Sequence, residues 1–299
     1  MGLTSPALKY ILSRSLKYHF KGPLLTFGNQ DIYANAITLN KWSVQYKIKP
    51  LKSNNIKSST SLGLGQINPE SKNFVHAKSF FELIGISSKD YFDVDKFNFD
   101  KPRLLHDLEK PFPKKFKNYF KLIIDSGTLE HIFDIKAVMK NIVYISRIGG
   151  YVLHITPTNN FLNHGFFQIN PTFFSDFYTA NGFKVIESYL VEFRPKGYRF
   201  HRYNHKKFKT FFVNPYSRLC SVFLVQKTKN IDKIVSPTQY TYQTQRTKNN
   251  KERLKGIFGK YTDKVRSLLP FKYHSMFYLP WVIYKQLFKS KKYFDIHSD

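Results

Sequence analysis

The apolar positions of this chain fall into short runs separated by stretches of helical spacing. Residues 5–20 carry Leu8, Ile11, Leu12 and Leu16 at helical spacing, with Lys and Arg between them, which predicts an amphipathic helix. Pro23-Leu24-Leu25-Thr26-Phe27 is an apolar run closed by Gly28-Asn29-Gln30, the pattern of a buried strand entering a tight turn. Residues 31–46 and 74–84 read as helices. Tyr91-Phe92-Asp93-Val94 and Leu104-Leu105-His106-Asp107-Leu108 read as short strands. Tyr119-Phe120-Lys121-Leu122-Ile123-Ile124-Asp125 is a strongly apolar strand that ends in Asp. Residues 134–147 are expected to be helical, with Gly149-Gly150 as the stop, and Tyr151-Val152-Leu153-His154-Ile155-Thr156-Pro157 as the next strand. A further helix over 171–181 opens on Pro171, and 184–193 and 219–226 read as strands. Strands alternating with helices in this way predict an α/β protein with a mostly parallel sheet.

Two stretches break the pattern. Residues 47–74 are polar and read as a surface insertion. Their Gly63-Leu64-Gly65 follows no strand, so nothing would aim it at a phosphate. Beyond Gln226 the composition shifts: residues 227–299 hold 16 Lys and Arg against 5 Asp and Glu. The expected organisation is therefore an α/β domain over 1–226 and a basic, aromatic extension over 227–299 that begins as a polar linker. Within the extension, Met276-Phe277-Tyr278-Leu279-Pro280-Trp281-Val282-Ile283-Tyr284 is flanked by lysines across 271–292. That pattern suits an anionic membrane surface; the competing reading is a patch that packs back onto the domain. No run approaches the roughly 18–20 apolar residues of a membrane span, and the opening residues show no signal-peptide pattern. A cytoplasmic protein, at most peripheral to a membrane, is expected.

The chain has 299 residues and a formal net charge of +28, from 48 Lys and Arg against 20 Asp and Glu. Such a charge invites a nucleic-acid partner. Lys, Asn, Phe, Tyr and Ile are all abundant, however, and an AT-rich coding composition produces the same bias without a functional demand. The single cysteine, Cys220, excludes a disulfide framework and any cysteine-rich zinc site.

In an open parallel sheet, ligands bind beyond the carboxyl ends of the strands. The residues there are Gly28-Asn29-Gln30, Asp93, Asp107-Leu108, Asp125-Ser126-Gly127 and Pro157. Three of these five positions are acidic in a strongly basic protein. A carboxylate at the end of a second strand suits the hydroxyls of a ribose, and Gly28 would admit a cofactor close to the backbone. Any one such Asp taken alone reads equally as a helix cap.

The run Leu122-Ile123-Ile124-Asp125-Ser126-Gly127-Thr128-Leu129-Glu130-His131-Ile132-Phe133-Asp134 resembles the fourth-strand motif of class I S-adenosylmethionine-dependent methyltransferases. Arg147-Ile148-Gly149-Gly150-Tyr151-Val152-Leu153-His154 resembles their Gly-Gly turn and fifth strand, and Asn181-Gly182-Phe183-Lys184-Val185 their late helix–strand junction. The likeness spans about residues 20–226 and is sharpest over 120–185. It implies a doubly wound, seven-stranded, mostly parallel Rossmann-like sheet with an antiparallel strand at one edge, and S-adenosylmethionine as cofactor. By the same resemblance Asp93 matches the ribose-binding acid, Asp107 and Leu108 the adenine side, and Asp125, Ser126 and Gly127 the floor beside the methionine part. The family's first loop usually follows an acidic residue and carries several glycines. Here Thr26 stands in the acid's place and Gly28 is the loop's one glycine, so either Asn29 or Gln30 holds the cofactor's amino-acid end or binding is weakened.

Methyl transfer from a sulfonium is an in-line displacement that requires alignment and exclusion of water, with a general base if the acceptor is a hydroxyl. His164, in the aromatic loop after the fifth strand, and His131, after the fourth, are the candidate bases. His154 lies within a strand and reads as a core residue. No metal is expected, since the histidine spacing matches no ligand pattern. The acceptor classes considered are an anionic small molecule, a saccharide and a lipid-linked intermediate, with Arg194, Arg199, His201, Arg202 and His205 as an anion-favouring segment. A nucleic-acid methyltransferase is a further reading, although the chain has no Asn/Asp-Pro-Pro-aromatic tetrad. A non-catalytic binding module is another, motivated by the altered first loop.

Overall fold

The computed structural model describes residues 2–50, 74–204, 216–240 and 242. Gly63-Leu64-Gly65, His205 and the 271–292 patch lie outside the described residues. In chain order the strands are β1 (Gly2–Leu3), β2 (Leu24–Phe27), β3 (Asp31–Ile32), β4 (Tyr91–Asp95), β5 (Leu104–Leu105), β6 (Phe120–Ser126), β7 (Ser146–Asn159), β8 (Phe183–Phe193), β9 (Tyr198–Arg202) and β10 (Leu219–Lys227). The helices are α1 (Ser5–Tyr18), α2 (Ala36–Gln45), α3 (Ala77–Leu83), α4 (Ile135–Ile145) and α5 (Pro171–Ala180).

Eight strands form the central sheet in the order β5-β4-β2-β6-β7-β10-β8-β9. The five strands from β5 to β7 are parallel to one another, and the order reverses at β2 and β6, as in a doubly wound sheet. The expected Rossmann-like architecture is the one observed, with two corrections. The sheet has eight strands, not seven. The antiparallel strand β10 lies inside it, between β7 and β8, and the edge is taken by β9, which forms a hairpin with β8. Burial explains the placement of β10. Val222 and Leu224 enter one apolar layer while Phe223 and Val225 enter the other, so a strand this apolar is stable only with both faces covered.

Helices α1–α3 cover one face of the sheet and α4 and α5 the other. Leu8, Ile11 and Leu12 of α1 are fully buried, each contributing roughly 1.5–3 kcal/mol, whereas Leu16 points to solvent. Side-chain caps fix the helix starts: Asn35 for α2, Asp134 for α4 and Asn170 for α5 accept from backbone amides of the first turn. Helix α4 ends at Ile145, earlier than the Gly149-Gly150 stop expected from sequence. The glycine pair instead lies within β7, where a Cβ on Gly150 would come 3.0 Å from the Lys121 carbonyl of β6. Residues 31–46 hold β3 before α2 begins, and β1 pairs with β3 in parallel. The 228–240 segment is not a free linker. Asn181 exchanges two hydrogen bonds with the backbone of Val235, and Ile231 and Ile234 pack against the α4–α5 layer.

One half-buried carboxylate docks α1 on the sheet. Glu187 of β8 accepts from Tyr10 (2.8 Å), Arg14 Nε (2.7 Å) and Tyr18 (2.6 Å). Burial pushes the Glu187 carboxyl up, but the hydrogen bonds from Tyr18 and Arg14 outweigh burial and hold it below 4.5. A depressed acid stabilises the fold above its unfolded pKa and loses that contribution as pH falls through the folded value. Glu187→Gln should therefore destabilise the protein by about 1.5–3 kcal/mol at neutral pH, the usual worth of charge-assisted hydrogen bonds. In urea denaturation the difference from the parent should shrink as the pH is lowered below 4.5.

Candidate functional site

The carboxyl end of β6 is the centre of the site. Asp125 is fully buried, and its Oδ1 accepts from the amides of Thr128 (3.3 Å) and Leu129 (3.1 Å). These bonds set the short 3-10 turn Leu129–His131 directly above the strand. The other Asp125 oxygen lies 2.7 Å from His154 Nδ1, and His154 Nε2 lies 2.6 Å from the Tyr178 hydroxyl. Burial, and then Asp125, raise the Tyr178 pKa well above its ordinary value, so the phenol keeps its proton and donates to Nε2. Nδ1 is then left to donate to Asp125. His154 is thus a core residue, stacked 4.1 Å from the Phe174 ring.

A cavity of about 280 Å³ opens beside this turn, on the α1 face of the sheet. Its walls include Ser126, Gly127, Ile155 and Pro157 from the ends of β6 and β7, Cys220 and Val222 from β10, and Gly2, Thr4 and Tyr33 from the start of the chain and the residue after β3. Glu130, His131 and His164 also line it. Glu130 is completely buried, and neither of its carboxyl oxygens has a hydrogen-bond partner. Burial, and then the charge of Asp125, push its pKa up to about 8. His164 Nε2 lies 3.6 Å from Glu130 Oε1, and the His131 and His164 rings are 5.2 Å apart. Burial and the neighbouring His164 hold the His131 pKa below its ordinary value. The Cys220 thiol is pushed up to about 12 by burial and Glu130, so it is not a thiolate nucleophile.

The structure brings His131, His164, Ser126 and Gly127 together at this cavity, with Asp125 beneath it. The remaining candidates lie away from its walls. Gly28 adopts φ +72°, and its amide donates to Val94 of β4 (2.8 Å). Asn29 follows Gly28 on the turn that leads into β3. Gln30 is buried, with its amide turned back onto the Phe27 carbonyl (2.7 Å). Asp93 is buried within β4 and accepts from the Arg103 amide (3.1 Å), which ties β4 to the segment before β5. Asp107 pairs with Lys96 (3.1 Å). The Glu109 amide is the first cause holding its carboxyl below the usual range. Leu108 is buried in the α4 layer, and the strand expected over 104–108 is only Leu104–Leu105, so Leu108 lies beyond it. In the anion-favouring segment, Arg194 and His201 both contact the buried Glu192, at 2.7 and 2.9 Å, so the Arg194 charge is already met, while burial holds the His201 pKa below its ordinary value.

Two acidic residues escaped the sequence reading. Asp95 lies on the same face of β4 as Asp93 but at the end of the strand, where its Oδ1 accepts from the Phe97 amide. The alternation Tyr91-Phe92-Asp93-Val94-Asp95 carried that signal. Glu130 had no such signal, because nothing in a sequence shows that a carboxylate in a turn is buried without partners.

No known protein family matches the sequence, and no curated protein does. Among solved structures the chain resembles the branched-chain polyamine synthase from Thermus thermophilus, in complex with N4-aminopropylspermidine and 5'-methylthioadenosine, at 11% identity and a TM-score of 0.39. The alignment covers 80% of this chain and 60% of the synthase, so the chain spans less than two thirds of that protein's length. It also resembles StiE O-MT (12% identity, 76% and 75% of the two chains, TM-score 0.33). A further resemblance is to an S-adenosylmethionine-dependent methyltransferase from Thermotoga maritima (14% identity, 74% and 89%, TM-score 0.27). At these levels of similarity, function has to be read from the site.

The raised Glu130 pKa has a consequence for stability. An acid whose folded pKa lies above its unfolded value favours the folded state fully at pH below 4.5, and that contribution is lost as pH rises toward about 8. Glu130→Gln removes the ionisable group. Thermal unfolding should show the variant gaining on the parent by about 1.4 kcal/mol per pH unit at most across that window, with no change below it.

Proposed function

We propose that the protein is an S-adenosylmethionine-dependent methyltransferase. The observation that carries this reading is the placement of the cavity. It opens at the carboxyl ends of β6 and β7, beside the point where the strand order reverses, and joins a buried acid and two imidazoles to the motif residues Ser126 and Gly127.

The residues at the sheet edge fit such a cofactor. Gly28 and Gly127 both take positive φ (72° and 77°), so no side chain rises from either turn at the ends of β2 and β6. Asp95, with Asp93 behind it, supplies the carboxylate at the end of β4 for the ribose hydroxyls. Asp107 and Leu108 would meet the adenine side, and Asn29 or Gln30 the amino-acid end. Asp125, Ser126 and Gly127 form the floor. When bound, the cofactor supplies an activated methyl group. The chain contributes alignment, a cavity walled by Ile155, Phe161 and Val191, and the polar cluster that meets the acceptor, in which His164 and His131 are the exposed members.

At about 280 Å³ the cavity is near the lower bound of small-molecule sites, which suits the reacting part of an acceptor better than the whole of a large one. Phe133, Leu162 and Phe166 stand exposed beside it, with Phe133 and Phe166 in edge-on contact at 5.8 Å. This apolar lip suits an acceptor with an apolar portion, such as a lipid-linked intermediate, of which a hydroxyl would be the methylated group, and the Lys-flanked 271–292 stretch would bring the enzyme to an anionic membrane. Among the described residues no helix is long and apolar enough to cross a membrane.

Calorimetric titration of S-adenosylmethionine and S-adenosylhomocysteine into the folded protein tests the reading. Micromolar binding of both is expected, weakened about tenfold in Asp107→Ala, which removes one adenine-side contact worth about 1.4 kcal/mol. Absence of heat with either ligand overturns the proposal.

A further inference from the structure

We infer that Glu130, His131 and His164 form a binding site for a divalent transition-metal cation at the wall of the cavity. Each residue offers one ligand atom, and the three atoms lie within 4.8 Å of one another. The His164 Nε2 to Glu130 Oε1 distance of 3.6 Å is close to the roughly 3.4 Å between ligands of a tetrahedral ion with bonds of about 2.0–2.2 Å. Both imidazoles are exposed, so small ring rotations can bring them onto one ion, while the carboxylate behind them is held in place.

Glu130 is the observation that points to a ligand. A carboxyl group removed from water and left without any hydrogen bond is costly, and native folds rarely tolerate one without a partner. A cation on the cavity side would take one of these oxygens as a ligand and offset the charge of the carboxylate. Asp125 repels a carboxylate, and the one amide of the 129–131 turn that acts on the group, Glu130's own, is not aligned to form a hydrogen bond with either oxygen.

The fold goes to some length to assemble the three residues from two separate segments. The amides of Phe166 (2.8 Å) and Phe167 (3.2 Å) both donate to the Glu130 carbonyl, which clamps the loop carrying His164 against the turn carrying the other two. Gly165 makes this approach feasible. It adopts φ +129°, and a Cβ there would sit 2.9 Å from the Glu130 carbonyl oxygen and 3.2 Å from His131 Nδ1.

The donor set defines the class of ion. Two imidazoles and one carboxylate suit Zn²⁺, Co²⁺, Ni²⁺, Fe²⁺ or Mn²⁺ in preference to Mg²⁺ or Ca²⁺, which favour all-oxygen shells. Three protein ligands beside an open cavity leave positions for water or a substrate atom, as in catalytic rather than structural sites. The assignment stands on the cluster alone, and only its catalytic consequence rests on the methyltransferase reading. There, a bound cation would take the acceptor's oxygen as a ligand and lower its pKa, so that its proton passes to solvent. The histidines would then act as ligands in place of the general bases suggested by the sequence.

The test uses the untagged full chain, stripped with a chelator and titrated with Zn²⁺ by calorimetry and with Co²⁺ by visible absorption. One equivalent per chain is expected, with Co²⁺ giving ligand-field bands. Glu130→Gln and His164→Ala should each weaken binding at least tenfold, while His106→Ala, remote from the cluster, should leave it unchanged. Thermal unfolding confirms that each variant is folded. No stoichiometric binding to the parent, or binding indifferent to both cluster variants, overturns the inference. Titration of S-adenosylmethionine in the same samples separates the two ideas. Metal binding without cofactor binding retains this site and removes the methyltransferase reading, and the reverse retains that reading and removes the metal.

Discussion

Asp125 accepts hydrogen bonds from three directions at the carboxyl end of the central strand, and the site is built around it. Its two backbone donors, Thr128 and Leu129, bend the chain into the turn that carries Glu130 and His131. Its third donor, His154, reaches through Tyr178 to α5, so β6, β7 and a helix on the opposite face are joined by one buried polar chain. In a low-dielectric interior such a chain is rigid when fully satisfied and costly when broken: leaving a buried polar group without its partner costs about 1–3 kcal/mol, and more for a charged one. The same negative charge acts on Glu130, where it adds to burial in favouring the protonated acid. One carboxylate therefore both positions the cluster and sets its electrostatics.

The second requirement is closure of the cavity on its solvent side. That falls to the start of the chain. The β1–β3 pair passes over the end of β6, where the Ser126 hydroxyl donates to the Gly2 carbonyl (3.3 Å). The first turn of α1 then forms part of the cavity wall through Thr4, Pro6 and Ala7. Helix α1 is held there by its apolar stripe and by Glu187, far from the site on β8. The exposed Lys17–Glu187 pair adds little beside the buried Arg14 and Tyr10 contacts, because solvent screens it. Packing energy spent at β8 thus reaches the site as shape.

Much of the architecture was legible in the sequence. The alternation of apolar strands and amphipathic helices predicted the layered α/β fold, and the strand β6 with its Asp125-Ser126-Gly127 end is where the spacing placed it. His131 and His164 were both singled out, and the structure brings them within contact of each other. The departures have local causes. Strands β1 and β3 are two residues each and carry no periodicity to read. The Gly149-Gly150 pair looks like a helix stop but serves a close approach between β6 and β7. Asp95 went unread because the strand was expected to end at Val94, and only the observed extent of β4 includes it.

The sequence by itself determined the order of the longer strands and helices, the faces that pack and the strand ends at which polar residues collect. These follow from periodicity and local propensity, which act over a few residues. Only the tertiary structure decided that β10 enters the sheet between β7 and β8, that Gln30 turns inward while Asp95 stands at the edge, and that Glu130 is buried with no partner beside two histidines. Those outcomes depend on which distant segments exclude water from a given atom. That exclusion is a property of three-dimensional packing: His164 meets Glu130 because a glycine at position 165 lets one loop lie against another, and spacing along the chain carries no record of the contact.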